Sequence, residues 1–365
     1  MDSNNNDEQI FKIDDFQKHD EDKEIINEVI MEDFFETTLN DYEEFEEHSW
    51  HKGAGYKIPS YPSIENKLEG LESGLYIFAG ESNGGKTSIM SNLLKDISCC
   101  KENNLFGLYY YLDDSKNEVI PRIIAMDQEI PIAVASKPQR YKDMAEQYDN
   151  DNAQIYNNYL EKRQKGLQQL KAQSNQFKIE DANKIKNSTD LKNHMKKVQT
   201  FVKSKNPNAN IIVAIDSIND IQLDPAIYGR NLSDITRDSE IAKFVKDLSV
   251  ELDIVIFASS HLRKLNGNRR PTVDDLKNAN TLLYEASVVW LVYNDVSKNK
   301  TGAKIYWNDI NADNNLGAII ELDWAKNKKS SYKGRTFCMF KPYYSLTKEC
   351  DEQDSKRYET LIYQS

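Results

Sequence analysis

The chain has 365 residues, 39% of them hydrophobic and 29% charged, with a net charge of −12, which suits a soluble globular protein able to bury one substantial core. No apolar run reaches the length of a membrane span and no basic segment leads into an apolar one, so a membrane anchor and a secretory leader are not expected. The four cysteines, Cys99, Cys100, Cys338 and Cys350, show neither metal-ligand spacing nor a disulfide framework; a reducing cytoplasm, bacterial or phage-infected, is expected and a structural zinc is not.

The acidity is local. Residues 1–50 hold eighteen Asp/Glu against three Lys, a net of −15, which leaves about +3 for the remaining residues. An acidic average therefore says little about the field on the body of the protein.

Residues 1–22 read as a disordered acidic tail. Residues 23–54 read as an acidic amphipathic helix and its linker. Ile25, Ile26, Val29, Ile30, Phe34, Leu39, Tyr42 and Phe45 recur at helical spacing, and Gly53 and Gly55 follow. Such a stripe demands a partner: its own domain, a neighbouring subunit, or a replication protein.

From residue 55 to 350 the pattern becomes α/β. Apolar strands are expected at Leu75–Ala79, Phe106–Leu112, Ile211–Ile215, Ile254–Ala258 and Val288–Tyr293, with helices between them, one of them Ser239–Leu252. Strands apolar on both faces and separated by helices imply a mainly parallel sheet. Lys304–Trp307, Ala318–Asp323 and Arg335–Phe340 follow too closely for crossovers, which predicts antiparallel strands at the C-terminal edge. Residues 135–175 read as a polar helical excursion and 351–365 as a C-terminal tail.

Gly80-Glu81-Ser82-Asn83-Gly84-Gly85-Lys86-Thr87 fits G-x-x-x-x-G-K-[ST] between a strand and a helix that opens at Ser88. Glycines let loop amides converge on phosphate oxygens, and the helix N-terminus adds its positive end. Lys86 is placed to reach the β- and γ-phosphates and Thr87 to ligate Mg²⁺, so ATP and Mg²⁺ are the expected ligands. Asp216 ends an apolar strand, IIVAID, which puts it at the same crevice as a second Mg²⁺ carboxylate. Asp113 ends another as the candidate base for the attacking water, with Asp114 or Ser115 as helix cap. His261 ends a third as the candidate sensor of the γ-phosphate.

Together these segments resemble the DnaB-like replicative DNA helicases, the family that includes phage primase-helicases. The likeness runs through GLESGLYIFAGESNGGKTSIM, YYYLDDS, IIVAIDSI, EIAKFVKDLSVELDIVIFASSHLRK and RRPTVDDLKNANTLLYEASVVWLVYND, in that order. It implies a RecA-like phosphate-loop motor that assembles as a ring, expected to be a hexamer, on single-stranded DNA. It also implies that WAKNKK supplies Lys326 and Lys328 to the neighbouring subunit's ATP. The chain departs from the family pattern in having Asp for Glu as base and Lys328 for an arginine, and a lysine cannot fork onto two oxygens.

After His261, Arg263, Lys264, Arg269 and Arg270 are interleaved with Asn266, Gly267 and Asn268 and no acid intervenes. Such a loop suits sequence-independent tracking of a phosphate backbone, with Arg230 on a second candidate channel loop. Two rival functions remain open from these residues: an ATPase that remodels or loads nucleoprotein without unwinding, and a nucleotide-gated DNA-binding scaffold with weak hydrolysis.

Overall fold

A computed structural model describes residues 39–46, 55–112, 115–147, 150–181, 185–276 and 279–364. The chain divides into two compact units, residues 1–54 and 55–365. In the first, residues 39–46 are helical with Leu39, Tyr42 and Phe45 exposed; the rest of the helix expected over 23–48, and the tail before it, lie outside the described residues.

In the second unit, among the described residues, ten strands form one sheet: β1 (Gly74–Gly80), β2 (Leu105–Tyr111), β3 (Phe177–Asp181), β4 (Asn210–Asp216), β5 (Val255–His261), β6 (Val288–Asn294), β7 (Tyr306–Asn308), β8 (Leu316–Asn327), β9 (Arg335–Lys341) and β10 (Leu346–Glu349). Their order is β10-β9-β8-β6-β1-β5-β4-β2-β3, with β7 paired to β8. The six strands from β6 to β3 run parallel and β7 to β10 add antiparallel. This is the RecA-like arrangement of a mainly parallel sheet with an antiparallel C-terminal edge.

The sequence dictates this because its central strands are apolar at every position. In β1, Tyr76 and Phe78 enter one core with helices Lys86–Cys99 and Lys116–Gln128, while Leu75, Ile77 and Ala79 enter the other with helices Ser188–Lys205 and Asp234–Glu251. Burying each such side chain is worth roughly 1.5–3 kcal/mol, so only a strand covered on both faces satisfies the pattern. The polar excursion forms helices Ile132–Ser136, Pro138–Gln147 and Asn150–Ala172.

The expected C-terminal tail is helical instead: Glu352–Tyr363 packs Tyr358 against Phe337 beside Ile305, Ile319 and Cys350. Two strands, β3 and β10, go beyond those expected from the sequence. Among the described residues no helix is long and apolar enough to cross a membrane.

Candidate functional site

In a parallel sheet the carboxyl ends of the strands share one edge. Register puts Gly80 of β1 opposite His261 of β5 on one side and Val292 of β6 on the other, and Asp216 of β4 opposite Tyr111 of β2. Glycine is needed twice in the phosphate loop. A Cβ on Gly80 would lie 2.8 Å from the Val292 carbonyl oxygen, and Gly85, at φ 98°, caps helix Lys86–Cys99 where a Cβ would lie 2.5 Å from Ile320.

The loop wraps the head of Lys86. Its Nζ donates to the carbonyls of Gly80 at 2.8 Å and Glu81 at 2.9 Å. Burial pulls the Lys86 pKa down, while Asp216 and then Glu81 push it back up. Thr87 Oγ1 donates to Asp216 Oδ2 at 2.6 Å, and Tyr109 donates to the same oxygen at 3.2 Å. Ser259, on β5, donates to Asp216 Oδ1. A cavity of about 390 Å³ is lined by residues 82–88 of the loop together with Tyr111, Arg122, Asp216, His261 and Phe340. Lys86, Thr87, Asp216 and His261 thus share one crevice. A larger cavity, about 860 Å³, is lined by Glu129, Tyr159, Ile310 and Tyr343 among others and takes in no phosphate-loop residue.

Asp113 and Asp114 lie outside the described residues. The helix that follows is capped by Ser115, whose N–H and hydroxyl both donate to Glu118. The His261 backbone N–H donates to Asn219 Oδ1 at 3.0 Å, which pins the end of β5 beside β4. Tyr109, Ser259 and Arg122 belong to the site although no motif marks them. A hydroxyl within a buried strand, as at Ser259, is the signal that could have found one of them, because a buried hydroxyl needs a partner.

Lys326 and Lys328 stand elsewhere. Lys326 is in register with Val289, near the start of β6, at the opposite edge of the sheet from the phosphate loop. Lys326 donates to the carbonyls of Leu283 and Tyr284, and Lys328 to that of Tyr284, the last turn of helix Ala279–Glu285. Burial, with Lys328 alongside, pulls the Lys326 pKa down to about 8. Neither side chain belongs to the crevice of its own chain.

The basic segment is a closed loop. Leu262 bridges Leu276, and the Arg263 N–H donates to the Asp275 carbonyl at 2.7 Å. Arg263 and Lys264 are exposed and line a 580 Å³ groove that also reaches residues 80–84 of the phosphate loop. Arg269 and Arg270 are engaged within the fold. Arg269 forks onto Asp275 at 2.5 and 2.6 Å and holds its carboxyl down at a pKa of about 2. Arg270 forks onto Glu321 at 2.7 and 2.9 Å and lies 5.0 Å from the ring centre of Tyr293. Arg230 is exposed on the loop after helix Pro225–Tyr228.

Residues 59–340 match the family model of the DnaB-like helicase C-terminal domain. Among solved structures the chain is similar to the ATPase domain of a DnaB-like replicative helicase, at 21% identity and a TM-score of 0.64, covering 87% of this chain and 98% of that one. It is also similar to a DnaB-like replicative helicase described with its interactions with primase, at 21% identity and a TM-score of 0.62, covering 87% of this chain and 66% of that one. At such identity these likenesses speak to fold. A search of the curated proteins finds no match.

Proposed function

The chain belongs to the DnaB-like helicase family, and from that premise we propose that it is an ATP-driven DNA helicase motor. It works as a ring, a hexamer in this reading, that moves along single-stranded DNA by hydrolysing ATP between subunits. The observation that carries the reading is the 2.6 Å contact of Thr87 with Asp216, beside the ammonium of Lys86.

A hydroxyl and a carboxylate oxygen converging next to a phosphate loop form the hard-oxygen donor pair that suits Mg²⁺. When bound, Mg²⁺ would neutralise charge on the phosphate oxygens. Lys86, now spending two of its three N–H donors on loop carbonyls, turns them to the β- and γ-phosphates. Loop residues Gly80 to Gly85 and Ser88 surround the triphosphate. Asp113 takes a proton from the attacking water, with one methylene less than Glu and hence roughly 1.5 Å less reach. His261, between the crevice and the basic loop, senses the terminal phosphate.

Since Lys326 and Lys328 lie away from their own crevice, their place in catalysis is at the ATP of the adjoining subunit. As lysines they stabilise the transferring phosphoryl as point charges, which favours slow turnover. Arg263 and Lys264, with Arg230, contact the DNA backbone, while Arg269 and Arg270 hold the loop that presents them. The arm at 23–54 docks on a neighbouring subunit or a replication partner, and removing residues 1–54 should change the particle mass in solution.

Strand displacement on a forked duplex with ATP is the test. Displacement supports a helicase. Phosphate release stimulated by single-stranded DNA without displacement points to a remodelling or loading ATPase, and nucleotide binding with neither activity points to a scaffold.

A further inference from the structure

The phosphate loop carries an acid at its second position. Glu81 follows Gly80 directly, in a loop whose task, on the reading above, is to hold a polyphosphate anion. A bare carboxylate there repels that anion across a short, partly desolvated path. The fold supplies a counter-charge from 217 positions away: Lys298 Nζ lies 2.6 Å from Glu81 Oε2, with the two side chains 21% and 32% exposed. The neighbouring Ser297 donates to the Asn83 carbonyl at 3.3 Å, a second tie to the same turn.

Both residues sit on the short helix Asp295–Asn299, which directly follows β6, the strand paired with β1. That helix is fixed from below. The buried carboxylate of Asp295 accepts from the backbone N–H groups of Lys304 at 2.6 Å and Ile305 at 2.8 Å, from Asn299 at 2.6 Å and from the Tyr293 hydroxyl at 3.1 Å. Asn294 caps it by accepting from the Ser297 N–H at 3.0 Å. A lysine on so constrained a platform is aimed at one place, and less side-chain entropy opposes its ion pair than at an ordinary surface site.

We propose that Lys298 is a positioning residue for nucleotide binding: it neutralises Glu81 and holds the turn at 81–83 in a shape whose amides face the polyphosphate. This rests on the phosphate loop being the ATP site. The pair serves ligand affinity, and its loss acts on binding while the chemical step is left largely intact.

The test uses the full chain and AMP-PNP with Mg²⁺, measured by calorimetry beside KM and kcat for ATP. Lys298→Met should weaken AMP-PNP binding and raise KM on the order of tenfold with kcat within about twofold. Lys298→Arg should keep most of the affinity. Glu81→Gln should restore binding in the Lys298→Met background, an outcome that loss of mere packing would not give. Binding unchanged by Lys298→Met, or unrescued by Glu81→Gln, overturns the proposal while leaving the ATP site standing. Absence of AMP-PNP binding by the unaltered chain overturns the site itself. If Lys298→Met fails to fold, Glu81→Gln alone decides: binding at least as tight as the unaltered chain supports the assignment, and weaker binding overturns it.

Discussion

Replacing Arg270 by methionine should cost more stability than any other single change in the basic loop. Glu321 is 1% exposed on β8 and receives both of its strong hydrogen bonds from Arg270, itself 28% exposed. Removing one partner of a buried pair leaves an uncompensated charge and costs about 3–5 kcal/mol. The partial exposure of the arginine favours the lower end, near ~3 kcal/mol. Loss of its stacking on Tyr293 adds about 1 kcal/mol. Burial already pushes the Glu321 carboxyl up, and Arg270 pulls it down. Without Arg270 its folded pKa rises further above the unfolded one. The carboxyl is then protonated in both states at low pH, so the deficit is small below about pH 4 and grows as pH rises towards neutrality. Urea unfolding of the Arg270→Met variant, followed by circular dichroism at several pH values, reads this out. Adding Glu321→Leu should recover most of the loss, because apolar residues often replace a buried pair without penalty. A single variant within about 1 kcal/mol of the unaltered chain, or a double variant no more stable than the single, would refute the structural role given to Arg270.

Other outcomes follow from the same geometry. Replacing Arg263 and Lys264 by alanine should lower the salt slope of single-stranded DNA affinity by about 0.7 for each phosphate no longer neutralised, read by fluorescence anisotropy across a salt series; an unchanged slope would remove them from the DNA surface. Thr87→Ala should raise the Mg²⁺ concentration needed for half-maximal phosphate release on the order of tenfold, with Thr87→Ser close to the unaltered chain. Because burial lowers the Lys326 pKa to about 8, the lysine loses its charge as pH rises through that value. ATPase turnover should therefore fall above about pH 8, and Lys326→Arg should move the fall to higher pH. A pH profile identical in the two proteins would leave Lys326 with only the helix carbonyls it caps.

Long-range charge pairing accounts for most of what the sequence hid at the site. Lys86, Thr87, Asp216 and His261 were readable because each stands at a strand's end, where connectivity alone gathers side chains. Arg269 and Arg270 looked like a solvated charge run, and nothing local disclosed their acids. Glu321 is 51 positions from Arg270, although a carboxylate inside the apolar strand AIIELDW is itself a sign of a buried cation nearby. Thr272 and Asp275 form a capping box that could have flagged a fixed acid opposite Arg269. The strands β3 (FKIED) and β10 (LTKE) are short and lie at the two edges of the sheet, so they lack the continuous apolar run by which β1, β4 and β6 were found. The final helix went unread because it anchors through few side chains, Tyr358 with Leu361 and Ile362, on an otherwise polar segment. Lys298 was invisible for the same reason as Glu321: its partner Glu81 is close only in the folded sheet.

Phosphate release from ATP by the purified chain, with and without single-stranded DNA, puts the whole account at risk in one assay when run beside Lys86→Ala. Hydrolysis that rises with DNA and falls to the buffer background in the variant is the predicted result. Turnover that survives the loss of Lys86 would mean that the crevice at Gly80–Thr87 does not drive this protein.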